Sequence, residues 1–129
     1  MKTNFIMAAL ALAVFLSYSC KKQEACTEEF RLFMLDVKDK DGKEVVLDDS
    51  YTRNLVTGES FRFDDQNIPE EGRYILLTDS QLNATQKDGS PYDFIGLQDD
   101  VEVVRETFVI KNDGCHIILV SGNTSIVLK

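Results

Sequence analysis

The chain has 129 residues, with 22 acidic and 14 basic side chains, a formal net charge of −8, one histidine and no tryptophan. This length corresponds to one domain. The acidic excess argues against nucleic acid as a partner, because phosphates are bound by Lys and Arg. It also keeps the body away from anionic lipid head groups. Solubility is the simplest reason for such a charge.

The first twenty residues predict export. Lys2 supplies a positive charge, and residues 5–16 (FIMAALALAVFL) form an uncharged apolar run that is typical of the core of a signal peptide. As a helix, this run would span about 18 Å, well short of the bilayer core of about 30 Å. We therefore predict that residues 1–19 are a cleaved signal peptide and not a permanent membrane anchor.

The residues that end this run, Leu16 to Cys20 (LSYSC), resemble the lipobox of bacterial lipoproteins. The resemblance implies that Cys20 becomes the lipidated first residue of the mature chain. Its acyl chains would then attach the protein to the outer membrane of a bacterial envelope, on the periplasmic face or at the cell surface. Residues 20–28 form a short polar tether, and residues 29–129 form the domain. An ordinary secretory cleavage, with Cys20 left as a free thiol, is the alternative.

Two cysteines remain once Cys20 is assigned to lipid, namely Cys26 and Cys115. Two cysteines in a small exported domain predict a disulfide. The bond would close a loop of nearly the whole domain, so loop-closure entropy gives it about 4–5 kcal/mol as an upper value. The prediction requires that the two Cα atoms lie within about 7 Å of each other.

Short alternating or apolar segments separated by turn residues fill the rest of the chain. The Asp41-Gly42 and Asp113-Gly114 pairs are typical of tight turns between antiparallel strands. The predicted strands are residues 30–37, 44–47, 51–56, 60–63, 73–78, 92–97, 101–111, 115–120 and 125–128, with a long loop at 79–91. This pattern predicts an all-β fold, a single antiparallel β-sandwich of about seven to nine short strands of the Ig-like or prealbumin-like kind.

Two positions in the C-terminal half predict irregular strands. The apolar phase of residues 101–111 changes between Val103 and Val104, which indicates either a bulge or a junction between two strands. Gly96 lies inside another predicted strand, where glycine marks a bulge or a close contact.

Three segments resemble the carboxypeptidase-regulatory-like family. They are residues 37–45 (VKDKDGKEV), Thr57-Gly58-Glu59 and residues 68–74 (IPEEGRY). The resemblance implies a prealbumin-like β-sandwich without catalytic activity, of a kind often found as an accessory to outer-membrane uptake systems. The chain as a whole resembles small envelope lipoproteins of Gram-negative bacteria.

Few residues favour catalysis. His116 is the only histidine, and we expect it to be a hydrogen-bonded structural residue, since a general base also needs an orienting acid and a nearby nucleophile. One histidine beside paired cysteines cannot complete a four-ligand zinc site. Four acidic doublets could support a carboxylate-based glycan hydrolase if two of them met in a cleft, but solvated loop acids are the simpler interpretation. The doublets are Asp48/Asp49, Asp64/Asp65, Glu70/Glu71 and Asp99/Asp100.

A metal or other cofactor is not predicted. Asp39, Asp41 and Asp48 are weak calcium candidates, because Asp-x-Asp-Gly echoes part of a calcium loop. Tyr51 and Tyr92 lie beside predicted loops and are the aromatic residues for which we expect a surface role.

These observations favour a lipid-anchored, exported β-sandwich that is not an enzyme and that binds another envelope protein or a glycan through an edge strand or a loop face. The alternatives are a structural envelope lipoprotein without a discrete ligand and, more remotely, the carboxylate-based hydrolase.

Overall fold

The computed structural model describes residues 25–63 and 70–129. The predicted signal peptide, Cys20 and the first part of the tether lie outside the described residues, as do Asp64 and Asp65. Within these two ranges, no helix is long and apolar enough to cross a membrane. The elements in chain order are β1 (Leu32–Lys38), β2 (Asp49–Asn54), β3 (Ser60–Phe61), β4 (Arg73–Thr78), a 3-10 helix (Asp79–Ala84), β5 (Ser90–Gln98), β6 (Val101–Asn112), β7 (Ile117–Ser121) and β8 (Ser125–Val127).

The strands form two sheets, which confirms the all-β, two-sheet expectation. One sheet has the order β4-β1-β8, and the other has the order β3-β2-β5-β6-β7. All pairs are antiparallel except one, because β8 runs parallel to β1 with Asp36 opposite Ser125. The exclusively antiparallel expectation was therefore wrong at β8. After β7 the chain crosses to the other sheet, so a hairpin does not set the direction of β8.

The core lies between the sheets and takes side chains from both. Alternate residues of a strand face the same side, which places Leu35 and Val37 of β1 against the five-stranded sheet. The largest fully buried core side chains include Tyr92, Phe94 and Phe108. Burial of an apolar side chain of this size contributes about 1.5–3 kcal/mol.

Strand β6 is continuous and contains a bulge. Its register against β5 changes from Gly96 opposite Val104 to Leu97 opposite Glu102, which leaves Val103 as the extra residue. Of the two alternatives at this position, the bulge is confirmed. Gly96 makes the close contact that its position suggested, because an added Cβ there would lie 2.5 Å from Leu47 Cδ1.

The segment at residues 44–47 is not a strand, contrary to the prediction, and forms one isolated bridge between Glu44 and Lys38. Two backbone groups of this segment form hydrogen bonds with a tyrosine side chain, where a strand would bond to a neighbouring strand. The Tyr74 hydroxyl accepts a hydrogen bond from Leu47 N at 2.7 Å and donates one to Val45 O at 2.7 Å. Burial raises the pKa of Tyr74, although the bond from Leu47 N opposes this, and the hydroxyl keeps the proton that it donates.

The long loop predicted at residues 79–91 instead begins with the 3-10 helix. Thr78 and Gln81 form a capping box at its start, in which Thr78 Oγ1 accepts from Ser80 N and Gln81 Oε1 accepts from Thr78 N, both at 3.2 Å. The helix ends beneath Tyr92, whose hydroxyl donates to Ala84 O at 3.1 Å. Tyr92 is fully buried, so its predicted surface role was wrong.

The predicted disulfide is confirmed. Cys26 and Cys115 are bonded, with their Cα atoms 5.3 Å apart. The bond attaches the segment ahead of β1 to the turn between β6 and β7. The end of the predicted tether is thus attached to the C-terminal part of the domain.

Candidate functional site

A chain of three side chains lies directly beside the disulfide. Thr27 Oγ1 is 2.8 Å from His116 Nε2, and His116 Nδ1 is 2.7 Å from Asp79 Oδ2. The His116 and Asp79 side chains are only 7% and 10% exposed, whereas Thr27 is exposed. The predicted hydrogen-bonded histidine is therefore present. The cluster of Thr27, His116 and Asp79 is called the junction triad below.

Asp79 holds the junction triad on the domain. Its carboxylate also accepts backbone hydrogen bonds from Arg31 N and Ile117 N, both at 2.8 Å. Burial would raise the pKa of Asp79, but these two bonds and the bond with His116 together lower it. Asp79 is therefore ionised at neutral pH and links β1, the 3-10 helix and β7.

The junction triad has the hydrogen-bond order of a hydroxyl nucleophile, a base and an orienting acid. Acyl transfer also needs free donors aimed at the developing oxyanion. The nearby backbone donors are already used, since Arg31 N and Ile117 N bind Asp79 while Cys115 N and His116 N bind the Asp113 carboxylate. The geometry thus favours a structural contact that fixes the end of the predicted tether on the domain.

Sequence reasoning did not find the partners of His116. Thr27 and Asp79 are 89 and 37 residues away from it along the chain. Thr27 follows Cys26 directly, so the disulfide that brings Cys26 to Cys115 also brings Thr27 to His116. The available signal was that Thr27 and His116 each directly follow one of the two cysteines predicted to be bonded, Cys26 and Cys115.

Two acidic doublets line one cleft of about 300 Å3 between β2 and β4, which is the arrangement that the carboxylate hypothesis required. They are Asp48/Asp49 and Glu70/Glu71. Three of these carboxylates already have partners. Asp49 pairs with Arg62 at 3.1 Å, Glu70 pairs with Arg73 at 2.7 Å, and Asp48 accepts a hydrogen bond from the backbone of the β5–β6 turn at 2.6 Å. These partnerships favour structural roles for the acids.

The weak calcium candidates do not form one site. Asp39 Oδ1 accepts from Asp41 N at 2.8 Å and from Lys43 N at 2.9 Å, which stabilises the turn after β1. The Asp48 carboxylate instead bonds Asp99 N at the β5–β6 turn. Across residues 25–63 and 70–129, no three His, Cys, Asp or Glu side chains are grouped so that they could hold a metal ion.

Tyr51 lies on the outer face of the five-stranded sheet and is half-buried. Two guanidinium groups lie over its ring, with Arg62 Cζ 4.7 Å and Arg53 Cζ 5.5 Å from the centroid. Such contacts contribute about 0.5–1 kcal/mol each at exposed sites. Tyr51 thus lies at the surface with its ring partly covered, and its surface role stays a prediction.

One side of the sandwich is open between β6 and β8. Strand β7 pairs with β6 only from Val109 to Asn112, so the side of β6 along Val101–Phe108 has no neighbour among the described strands. We call this the free edge. A groove of about 710 Å3 runs between it and β8, and its apolar lining residues are Val103, Val104, Ile126, Val127 and Leu128.

No family model, curated protein or solved structure matches this chain. The resemblances to the carboxypeptidase-regulatory-like family and to envelope lipoproteins stay predictions.

Proposed function

We propose that this chain is an exported β-sandwich, anchored by lipid on Cys20, that binds another envelope protein and is not an enzyme. The observation that carries the proposal is the Cys26–Cys115 disulfide. Disulfides persist in oxidising compartments outside the cytoplasm, which agrees with the signal peptide expected at residues 1–19.

The position of the disulfide supports a role at a membrane. Cys26 lies six residues after Cys20, and six extended residues span about 20 Å at most. Cys26 and Thr27 lie near the end of the predicted tether, residues 20–28, so the disulfide and the junction triad hold that end on the domain. A domain attached in this way stays close to the bilayer, while its acidic charge disfavours contact with anionic head groups. Its binding surfaces are then available to a neighbouring protein.

Affinity capture from detergent-solubilised membranes of the native host tests the proposal. The tagged full-length chain is compared with a Cys20→Ala variant, which leaves the Cys26–Cys115 pair intact. We expect a partner at stoichiometric yield with the parent chain, and membrane release of the variant. A parent chain that is membrane-bound without a partner would favour the structural lipoprotein, and a variant that stays membrane-bound would contradict the lipid anchor.

A further inference from the structure

We propose that the free edge of β6 binds an extended segment of a different polypeptide as an added β-strand, with a basic side chain of that segment against Glu106. This inference rests on the proposed function and assigns the surface and the kind of partner. The supporting observations are unpaired backbone, an apolar groove beside it and a carboxylate in the middle of the edge.

The backbone of the free edge is oriented for strand addition. Leu55 N donates to Pro91 O, and Asn112 N donates to Gln86 O. With the β2–β5 and β5–β6 registers, these bonds show that the even-numbered residues of β6 between Val104 and Ile110 face β5. The amide and carbonyl groups of the odd-numbered residues therefore face the opposite side, where an added strand would lie.

The edge is left free because the chain turns away after β7. Gly122 follows the last residue of β7 with φ +128°, a conformation that L side chains rarely adopt. A Cβ on Gly122 would lie 2.2 Å from Phe108 Cδ1, so the chain crosses closely over the Phe108 ring. It then enters β8 in the other sheet, which leaves the first eight residues of β6 uncovered by β7.

The groove beside the free edge is lined by apolar side chains that could contact every second side chain of an added strand. Val103, Val104, Ile126 and Leu128 line it, and Val101 at one end is 62% exposed. An added strand would direct every second side chain into this groove. Burial of apolar side chains would then accompany the backbone hydrogen bonds, as in other cases of recognition by strand addition.

Three charged side chains line the groove, namely Arg105, Glu106 and Lys129, and Glu106 is the acidic one among them. Glu106 faces the groove with Val104 and Phe108, because these three pair with the inward-facing Phe94, Gly96 and Tyr92. Its Oε1 accepts a long hydrogen bond of 3.4 Å from Asn123 N. Arg105, by contrast, is held by carboxylates on both sides, at 2.7 Å each, on the outer face.

A complementary segment therefore has a basic residue opposite Glu106 and an apolar residue two positions away, opposite Val104. The position opposite Phe108 lies beside Gly122, where the chain leaves β7 and crosses over the Phe108 ring. A probe with an apolar residue on each side of the basic one can place an apolar residue opposite Val104 in either strand direction. Opposite charges directly across a strand pair are stabilising, and like charges are destabilising.

A second copy of this chain fits the free edge poorly. The regular part of the edge is residues 104–108, between the bulge and the pairing with β7. A two-fold axis through Arg105 would set two arginines opposite each other, and an axis through Glu106 would do the same with two carboxylates. A two-fold axis nearer to either end of residues 104–108 would require the two copies to pair through the bulge or through residues that already pair with β7. A heterologous segment avoids both conflicts.

Synthetic peptides test the assignment with the full-length chain in detergent. The probes are Thr-Val-Thr-Lys-Thr-Val-Thr and the same peptide with Glu in place of Lys, each labelled with a fluorophore and followed by polarisation. Hydrogen exchange of the β6 amides locates the bound peptide. We expect the Lys peptide to bind about tenfold more tightly than the Glu peptide and to protect the odd-numbered β6 amides.

Two variants locate the interaction. Glu106→Lys should reverse the preference between the peptides, and Glu59→Lys, which changes the net charge equally at an exposed position elsewhere, should leave it unchanged. Thr107→Pro should abolish binding of both peptides, since it removes an outward amide while the backbone bonds to β5 remain. Thr107→Val is its control, because it also removes the hydrogen bond from Thr107 Oγ1 to Asp93 Oδ1 but keeps the amide. If Thr107→Pro does not fold, the reversal of the peptide preference in Glu106→Lys is the result that tests the assignment.

The inference is overturned if neither peptide binds at millimolar concentration, if the preference survives Glu106→Lys, or if the chain dimerises through β6 instead. A stoichiometric partner in the membrane capture together with any of these results would keep the proposed function and place its surface elsewhere. Absence of a partner together with peptide binding would contradict the proposed function alone.

Discussion

Loss of the disulfide tests how the domain is stabilised. We consider the double variant Cys26→Ser/Cys115→Ser, which removes the bond without leaving an unpaired thiol from it. In the folded protein the bond joins residues 89 apart in sequence, so it closes a loop that contains all eight described strands except β7 and β8.

The expected effect follows from loop-closure entropy in the unfolded chain. For a loop of this length, the chain-entropy relation gives about 4.6 kcal/mol at 25 °C. In a domain of about 100 residues, each kcal/mol corresponds to roughly 5 °C in the melting temperature, so the variant should melt about 20 °C lower. Because the disulfide also brings Thr27 to His116, the double variant is expected to lose this hydrogen bond as well, and a variant at His116 measures that smaller contribution separately.

Thermal unfolding followed by circular dichroism, with guanidinium titration for the free energy, measures the difference. The control is His116→Asn, which alters the junction triad and leaves the disulfide. A decrease below about 1 kcal/mol for the double variant would refute the reasoning, because even a third of the entropic value should be measurable.

Three further substitutions test individual contacts. The pKa of Asp79 is lowered on folding, so its stabilisation is present above the unfolded value of about 3.9 and is lost as the pH falls through the folded pKa. Asp79→Asn should cost about 1–3 kcal/mol at pH 7 and should flatten this acid dependence in urea titrations at several pH values. Tyr74→Phe should cost about 1–3 kcal/mol by leaving Leu47 N without its buried acceptor, measured by chemical unfolding. Gly122→Ala should destabilise by about 1–3 kcal/mol or more, because the added Cβ meets the Phe108 ring, measured by thermal unfolding.

Each of these expectations has a contrary result. If the free energy of unfolding of Asp79→Asn depends on acid pH as it does in the parent, Asp79 does not cause that dependence. A Tyr74→Phe variant as stable as the parent would show that water replaces the hydroxyl. Gly58→Ala is the matched control for Gly122→Ala, because both glycines have positive φ but nothing lies within 4 Å of a Cβ at Gly58. Equal costs at the two positions would attribute the effect to φ alone.

The features that could be predicted from the sequence depend on local chemistry. The Asp41-Gly42 pair correctly predicted a turn, in which Gly42 adopts φ +81°. The shift in apolar phase at Val103 correctly indicated the bulge in β6. The disulfide was predictable because two cysteines in a small domain that is expected to be exported have few alternatives.

The features that were missed depend on side chains distant in sequence. The segment at residues 44–47 alternates like a strand, but Tyr74 binds its backbone from 27 and 29 residues away. Tyr92 was placed at the surface because of the neighbouring loop, whereas that loop folds into a 3-10 helix over its hydroxyl. The direction of β8 depends on which sheet the chain reaches after Gly122, and local pattern does not specify this. Lipidation of Cys20 stays a prediction.

Intact-mass analysis of the protein purified from membranes, without reduction, shows in one experiment whether Cys20 carries lipid and whether Cys26 and Cys115 are bonded. We expect a chain that begins at Cys20, carries the mass of two or three acyl chains and is two hydrogens lighter than the reduced form because Cys26 and Cys115 are bonded. An unmodified amino terminus, or a mass that corresponds to three free thiols, would contradict it.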